Sequence, residues 1–191
     1  RPRWSYTPER LKGRHGFSLN PIRDPRRAIW HVNNDPAKLD DFYERFLGRN
    51  GSKMLPEELR WLAITHKSFD YGRRGFNTRL AFFGKAYLPF ARKYLDDPWR
   101  RDHFESPALR NVDKLSVNRP TDFMSVDELA RVGIKTQLDK VMRWKPRIPE
   151  NLKSSGIDVV LATTLFAIVG AVSLQHGGDV ASRIAREKIL A

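Results

Sequence analysis

Five histidines, at positions 15, 31, 66, 103 and 176, are the side chains best suited to moving protons or holding zinc, and their spacing argues against both. None stands four residues from another, the separation that sets two imidazoles on one helical face around a metal. His66, in Thr65-His66-Lys67-Ser68, has no base partner, which fits an interior or interface imidazole better than a catalytic one. Asp96, Asp97, Asp102 and Glu105 are interleaved with Arg100 and Arg101, the pattern of a solvated, locally neutralised surface. The absence of cysteine excludes disulfides, thiolate zinc sites and a cysteine nucleophile. Gly13, Gly16, Gly72 and Gly75 lack the strand-to-helix setting of a phosphate-binding loop.

The remaining chemistry is cationic. In 191 residues, 35 Lys and Arg face 22 Asp and Glu, a net charge of +13 that calls for a polyanionic partner. Residues 1–33 read as an extended basic arm. Prolines at 2, 8, 21 and 25 block a helix, and Trp4, Tyr6 and Phe17 alternate with cations in a way that suits phosphates and bases. Arg1, Arg3, Trp4, Arg10, Lys12, Arg14, Arg23, Arg26 and Arg27 are its candidate RNA contacts. A second basic surface is expected around Lys135, Lys140, Arg143, Lys145 and Arg147. Trp30 and Trp144 suit either stacking on bases or packing in a core.

The elements that must position these groups are helical. Asp35-Pro36 opens a helix whose Leu39, Phe42, Tyr43 and Phe46 share a face, and Pro56-Glu57-Glu58 opens another with Leu59, Leu62 and Ala63 on one side. Leu80 to Tyr94 carries a third pattern, with a kink or break expected at Pro89. Residues 96–124 show no clean period and read as connecting segments. Ser125 with Glu128 forms a capping box, and Lys135 to Trp144 is expected to follow as a basic helix. A last amphipathic helix is expected from Asp179, as its cap, through Ile189. No strand pattern and no internal repeat is evident, so the fold class is all-α, with residues 34–191 as one domain.

Val159 to Leu174 has no charged residue and resembles a membrane span. At about 1.5 Å per residue it would reach roughly 24 Å, short of a ~30 Å hydrocarbon core, so a packed interior helix is expected and no membrane span. The chain opens at Arg1 without an apolar signal segment, and any targeting information is expected to have been removed ahead of it.

Leu62-Ala63-Ile64-Thr65-His66-Lys67-Ser68, followed by Asn77-Thr78-Arg79-Leu80-Ala81-Phe82-Phe83-Gly84-Lys85-Ala86-Tyr87-Leu88, resembles the signature of the ribonuclease III endonuclease domain. Leu161 to Ala171, ending at Gly177-Gly178, resembles that family's second characteristic helix, and the likeness covers about residues 55–190. Active members hold Mg²⁺ through four carboxylates and cleave double-stranded RNA. The resemblance puts those four places at Ala81, Lys85, Thr163 and Phe166, and Thr78 replaces a further acid. A hard cation needs oxygen ligands, so the resemblance implies a scaffold retained without metal, cofactor or catalysis. The matching Leu80, Phe82, Phe83, Gly84, Ala86 and Leu88 are expected to pack helices.

Degenerate copies with basic extensions serve as structural proteins of the mitochondrial ribosome's large subunit, and this chain looks like the fungal kind. The resemblance thus implies a pseudoenzyme in the mitochondrial matrix that binds rRNA and other large-subunit ribosomal proteins. It also implies a heterodimer with a second ribonuclease III-like ribosomal protein. Two further readings are an RNA-processing endonuclease with displaced ligands such as Asp70 or Asp158, and an inactive dimer partner of an active double-stranded RNA endonuclease.

Overall fold

The structure is a computed structural model that describes residues 4–11, 30–93 and 125–189. Among these residues there is no strand, and seven helices build the fold: α1 (Pro36–Leu47), α2 (Gly51–Met54), α3 (Glu57–Ile64), α4 (Thr78–Lys93), α5 (Val126–Lys135), α6 (Ile157–His176) and α7 (Gly178–Lys188). Short 3-10 turns occur at Glu9–Leu11, Phe69–Gly72 and Leu138–Lys140.

α6 is the axis of the domain. Its residues from Val160 to Ser173 are buried except Thr163 and Phe166, so the helix is apolar on nearly every side, as a helix surrounded by others must be. By length and apolarity it could cross a membrane, yet two-thirds of its most apolar stretch is enclosed by the fold. α4 packs along it most extensively, with α3, α5 and α7 against its other sides. The interior helix expected from the sequence is therefore the one found.

Local chemistry sets the helix limits. The Asp35 carboxylate accepts a hydrogen bond from the Ala37 amide, with Pro36 in the first turn of α1. Leu39, Phe42, Tyr43 and Phe46 then turn one face into the core. In α3 the deepest side chains are Trp61, Ala63 and Ile64, while Leu59 and Leu62 are only partly covered. Ser125 and Glu128 form the reciprocal capping box of α5.

Four expectations change. Of the kink or break expected at Pro89, the break does not occur: α4 runs past it to Lys93 with one backbone donor fewer in mid-helix. Gly177, with φ at 87°, is the hinge into α7, and Asp179 lies in the first turn instead of capping it. Lys135 to Trp144 is not a helix. α5 ends at Lys135 where the Thr136 hydroxyl caps the Val132 and Gly133 carbonyls, and Gln137 turns left-handed at φ 61°. After the Leu138–Lys140 turn the backbone is pinned beside Thr65, since the Arg143 amide donates to Ile64 O at 2.8 Å and the His66 amide to Arg143 O at 2.9 Å. Finally, Phe82 does not pack helices: it is 83% exposed on α4.

Candidate functional site

α4 and α6 touch backbone to backbone where they cross. A β-carbon on Gly84 would lie 1.9 Å from Phe166 O, and one on Gly170 would lie 2.2 Å from Leu80 O. Only glycine permits that approach. Ala81 and Lys85, four residues apart on α4, and Thr163 and Phe166, three apart on α6, flank the crossing. These are the four places to which the resemblance assigns carboxylates.

Their chemistry does not fit a divalent ion. The Ala81 methyl is 8% exposed, Lys85 extends an ammonium into solvent, and the Phe166 ring is half-buried against the core. The Thr163 hydroxyl donates to Val159 O at 2.7 Å. One hydroxyl and one ammonium do not replace the water shell of a hard cation. Among the described residues no three His, Asp or Glu side chains gather anywhere in a metal-holding group. Asp70 lies in the turn after α3 with ion partners of its own, and Asp158 lies in the first turn of α6.

The signature residues fasten the elements that frame this crossing. Asn77 is fully buried and donates to Ala63 O at 3.0 Å and to Thr164 Oγ1 at 3.5 Å, while its amide donates to Thr65 O. One side chain thereby ties the end of α3 and the start of α4 to α6. Thr65 Oγ1 returns a hydrogen bond to Trp61 O at 2.7 Å. The His66 Nδ1 atom accepts from the Ser68 amide at 3.2 Å and lies 3.0 Å from Ser68 Oγ, which also accepts from the Lys145 amide. Burial, helped by the neighbouring Lys67 charge, pushes the His66 pKa down to about 4, so the ring is neutral at physiological pH. The His66 ring thus positions Ser68, whose hydroxyl ties this loop to Lys145.

Behind that loop lies a second cluster that the sequence did not disclose. Arg143 is only 4% exposed, with its guanidinium 4.6 Å from the Phe69 ring centre and 5.0 Å from that of Trp61. One terminal nitrogen donates to Asn34 Oδ1 at 2.9 Å, while Nε and Nη1 are buried without a partner. Burial, assisted by Arg74, lowers its pKa to about 10 against an opposing pull from Asp70. Burial also pushes the Asp70 carboxyl upward, but hydrogen bonds from Thr7, Arg73 and Arg74, together with the Arg73 charge, hold it below the usual carboxylate range. Asp70 and Tyr71 both adopt left-handed backbone, at φ 48° and 53°. Such strain in non-glycine residues costs on the order of 1–3 kcal/mol each and persists where surrounding contacts enforce it.

The expected RNA contacts divide accordingly. Arg10, Lys135, Lys140 and Arg147 are exposed and Lys145 is half-exposed, with its Nζ 5.5 Å from the Tyr71 ring centre. Arg143 is corrected from a surface cation to a buried one, because its segment pairs with Thr65 instead of forming a helix. Trp4 stacks on Trp61 at 5.0 Å and 12°, so its ring is engaged inside the protein, and Thr7 Oγ1 donates to Asp70 Oδ2 at 2.5 Å. Residues 4–11 therefore lie on the helical domain. Trp144 is buried and meets Trp30 edge-on at 6.1 Å. Arg1, Arg3, Lys12, Arg14, Arg23, Arg26 and Arg27 lie outside the described residues, as do Asp96, Asp97, Asp102, Glu105, His15 and His103. The cluster of Asp70, Tyr71, Arg73 and Arg74 was missed; its signal was two arginines between Gly72 and Gly75, one residue after a tyrosine.

Residues 56–191 match the family described as ribonuclease-III-like. Over its whole length the chain is 57% identical to the large ribosomal subunit protein mL57 of Neurospora crassa, covering 75% of that protein. The nuclease domain of ribonuclease III from Campylobacter jejuni aligns with a TM-score of 0.53 at 27% identity, over 78% of this chain and 92% of that one. A second structure of that domain, described for flexibility in a region involved in dimer formation, aligns with a TM-score of 0.51 at 23% identity, over 79% and 99%.

Proposed function

The chain belongs to the ribonuclease-III-like family, and from that premise we propose that it is a structural constituent of the mitochondrial ribosome's large subunit. In this reading it binds rRNA, pairs with a second ribonuclease III-like protein and has no nuclease activity. The observation that carries the reading is the 57% identity to the Neurospora crassa large ribosomal subunit protein, which extends through the whole chain, basic arm included. A net charge of +13 supports an rRNA partner, because phosphate contacts by exposed Lys and Arg release counterions without requiring sequence to be read. The four side chains at the α4–α6 crossing support the lack of nuclease activity, since they supply no site for the cation that would activate water. Phe82 is compatible with the pairing: its phenyl ring is 83% exposed on α4, and a partner docked there would cover it.

Sedimentation of mitochondrial lysate on a sucrose gradient at physiological salt tests the reading. The protein is expected to travel with the large subunit, and recovery in the ribosome-free fractions overturns the assignment. Purified protein incubated with double-stranded RNA and Mg²⁺ is expected to leave the RNA intact. Co-purification with an active double-stranded RNA endonuclease, in place of ribosomes, would assign the chain to that enzyme as its inactive partner.

A further inference from the structure

A cavity of about 270 Å³ opens beside the strained turn, walled by Trp30, Phe69, Tyr71 and Trp144 and edged by Arg74 and Lys145. We propose that this cavity receives one unstacked nucleotide of an RNA strand, its base against the aromatic walls and its phosphate at Arg74 and Lys145. The inference rests on the rRNA-binding reading and adds to it a particular site and a preference for unpaired RNA.

Four features support it. The volume falls just below the usual range of small-molecule pockets, which suits a single base better than a folded ligand or a helix. Aromatic faces bind any base by stacking, and cations at the rim meet the phosphate that every nucleotide carries. The rim is also positioned in advance. Asp70 accepts from Arg74 Nε at 3.1 Å while the Arg74 guanidinium lies 5.3 Å from the Phe69 ring centre, so the side chain is held from two directions. Lastly, the left-handed backbone at Asp70 and Tyr71 holds the Tyr71 ring 57% exposed between Arg73, at 5.9 Å, and Lys145, at 5.5 Å.

The local charge favours the same class of ligand. Among the described residues, Arg74, Lys145 and one carboxylate, Asp70, line the pocket, and Arg73 lies beside Tyr71, so cations outnumber acids there. An acidic peptide shares that attraction, but its carboxylates have no flat π-face to lay against the exposed Tyr71 ring.

The test uses the full chain with two probes of equal length, a single-stranded oligoribonucleotide and a perfectly paired RNA duplex, each titrated at several salt concentrations. Tyr71→Asn removes the ring while keeping a residue tolerant of left-handed backbone, and Lys145→Gln removes one rim charge. Tyr71→Asn is expected to weaken single-strand binding about tenfold, within the range of losing one base stack, and to leave duplex binding within twofold. Lys145→Gln is expected to lower the single-strand salt slope by roughly 0.7. Equal losses on both probes, or none on either, overturn the pocket while leaving the rRNA reading in place. Adenosine monophosphate bound as tightly as the single strand overturns it in favour of a free-nucleotide site. Wild-type protein that binds neither probe overturns the rRNA reading itself. Unchanged melting temperatures for both variants separate these outcomes from misfolding.

Discussion

Gly84 and Gly170 face each other across the α4–α6 crossing, each with space for a hydrogen and none for a methyl group. The atoms that block a side chain there are backbone: Phe166 O and Gly170 N against Gly84, and Leu80 O and Gly84 N against Gly170. Backbone cannot rotate away as a flexible side chain does, so any added carbon must push the two largest helices apart.

Gly84→Ala is therefore expected to cost about 3 kcal/mol or more, the upper end of overpacking penalties, even though alanine is the better helix former. Denaturant unfolding followed by circular dichroism measures it. A loss below about 1 kcal/mol would mean that the crossing adjusts cheaply.

Replacing the four flanking residues together, Ala81→Glu, Lys85→Asp, Thr163→Asp and Phe166→Glu, is expected to destabilise the fold without creating a metal site. Ala81 is nearly buried and Phe166 packs on the core, so two of the new carboxylates enter partly apolar space while a half-buried ring is lost. A loss of several kcal/mol is expected from these terms combined. Unfolding measurements with and without Mn²⁺, together with electron paramagnetic resonance of the ion, check this. A stable variant that binds manganese tightly would refute it.

Arg143 and Arg147 are four residues apart and should respond in opposite ways. Arg143→Ala removes a guanidinium enclosed by Trp61 and Phe69 and bonded to Asn34, and is expected to cost about 2–4 kcal/mol of stability. Arg147→Gln, on an exposed side chain, is expected to leave stability within about 0.5 kcal/mol and to lower the salt slope of RNA binding by about 0.7–0.9. Thermal unfolding and salt-dependent binding of both variants decide the assignment.

That contrast marks what the sequence made legible. Helix faces were readable because burial imposes a period: Leu39, Phe42, Tyr43 and Phe46 follow it, and the capping box of Ser125 and Glu128 is a local signal with local consequences. The all-α class and the enclosed α6 follow from the same patterns. Arg143 was misplaced because its environment is non-local, made by Thr65, Trp61 and Phe69 nearly eighty residues away. Phe82 was assigned to the interior from a matched motif, which gives residue type without orientation. The Asp70–Arg74 cluster depends on left-handed backbone in Asp70 and Tyr71; aspartate only leans toward that conformation and tyrosine does not signal it.

His66 makes stability depend on pH. Its folded pKa, about 4, lies below the ordinary value of 6.5, so the unfolded chain binds the extra proton first. The contribution is complete above about pH 6.5 and is lost as pH falls toward 4. Protonated Nδ1 would also point a hydrogen at the Ser68 amide that now donates to it. Because the ring is partly open to solvent, the loss is expected to be about 1–2 kcal/mol rather than the full value of the shift. Unfolding free energies of wild type and His66→Asn between pH 4 and 7.5 check it: the gap between them should narrow at the acid end.

Phe82 gives the cleanest separation of pairing from folding. At 83% exposure its ring contributes little to the free monomer, so Phe82→Asp is expected to change stability by no more than about 0.5 kcal/mol. In a complex that covers it, the same ring is worth about 1.5–3 kcal/mol of burial, and an aspartate there adds the cost of desolvating a charge. Co-expression with the proposed partner, a second ribonuclease III-like protein, followed by sedimentation velocity, should show the wild-type pair and only separate chains for the variant. Phe82→Leu should keep most of the pairing, because an aliphatic side chain still fills an apolar recess. If Phe82→Asp paired as wild type does, the partner surface would lie on another face of the domain, and α4 would owe its exposed phenylalanine to something other than assembly.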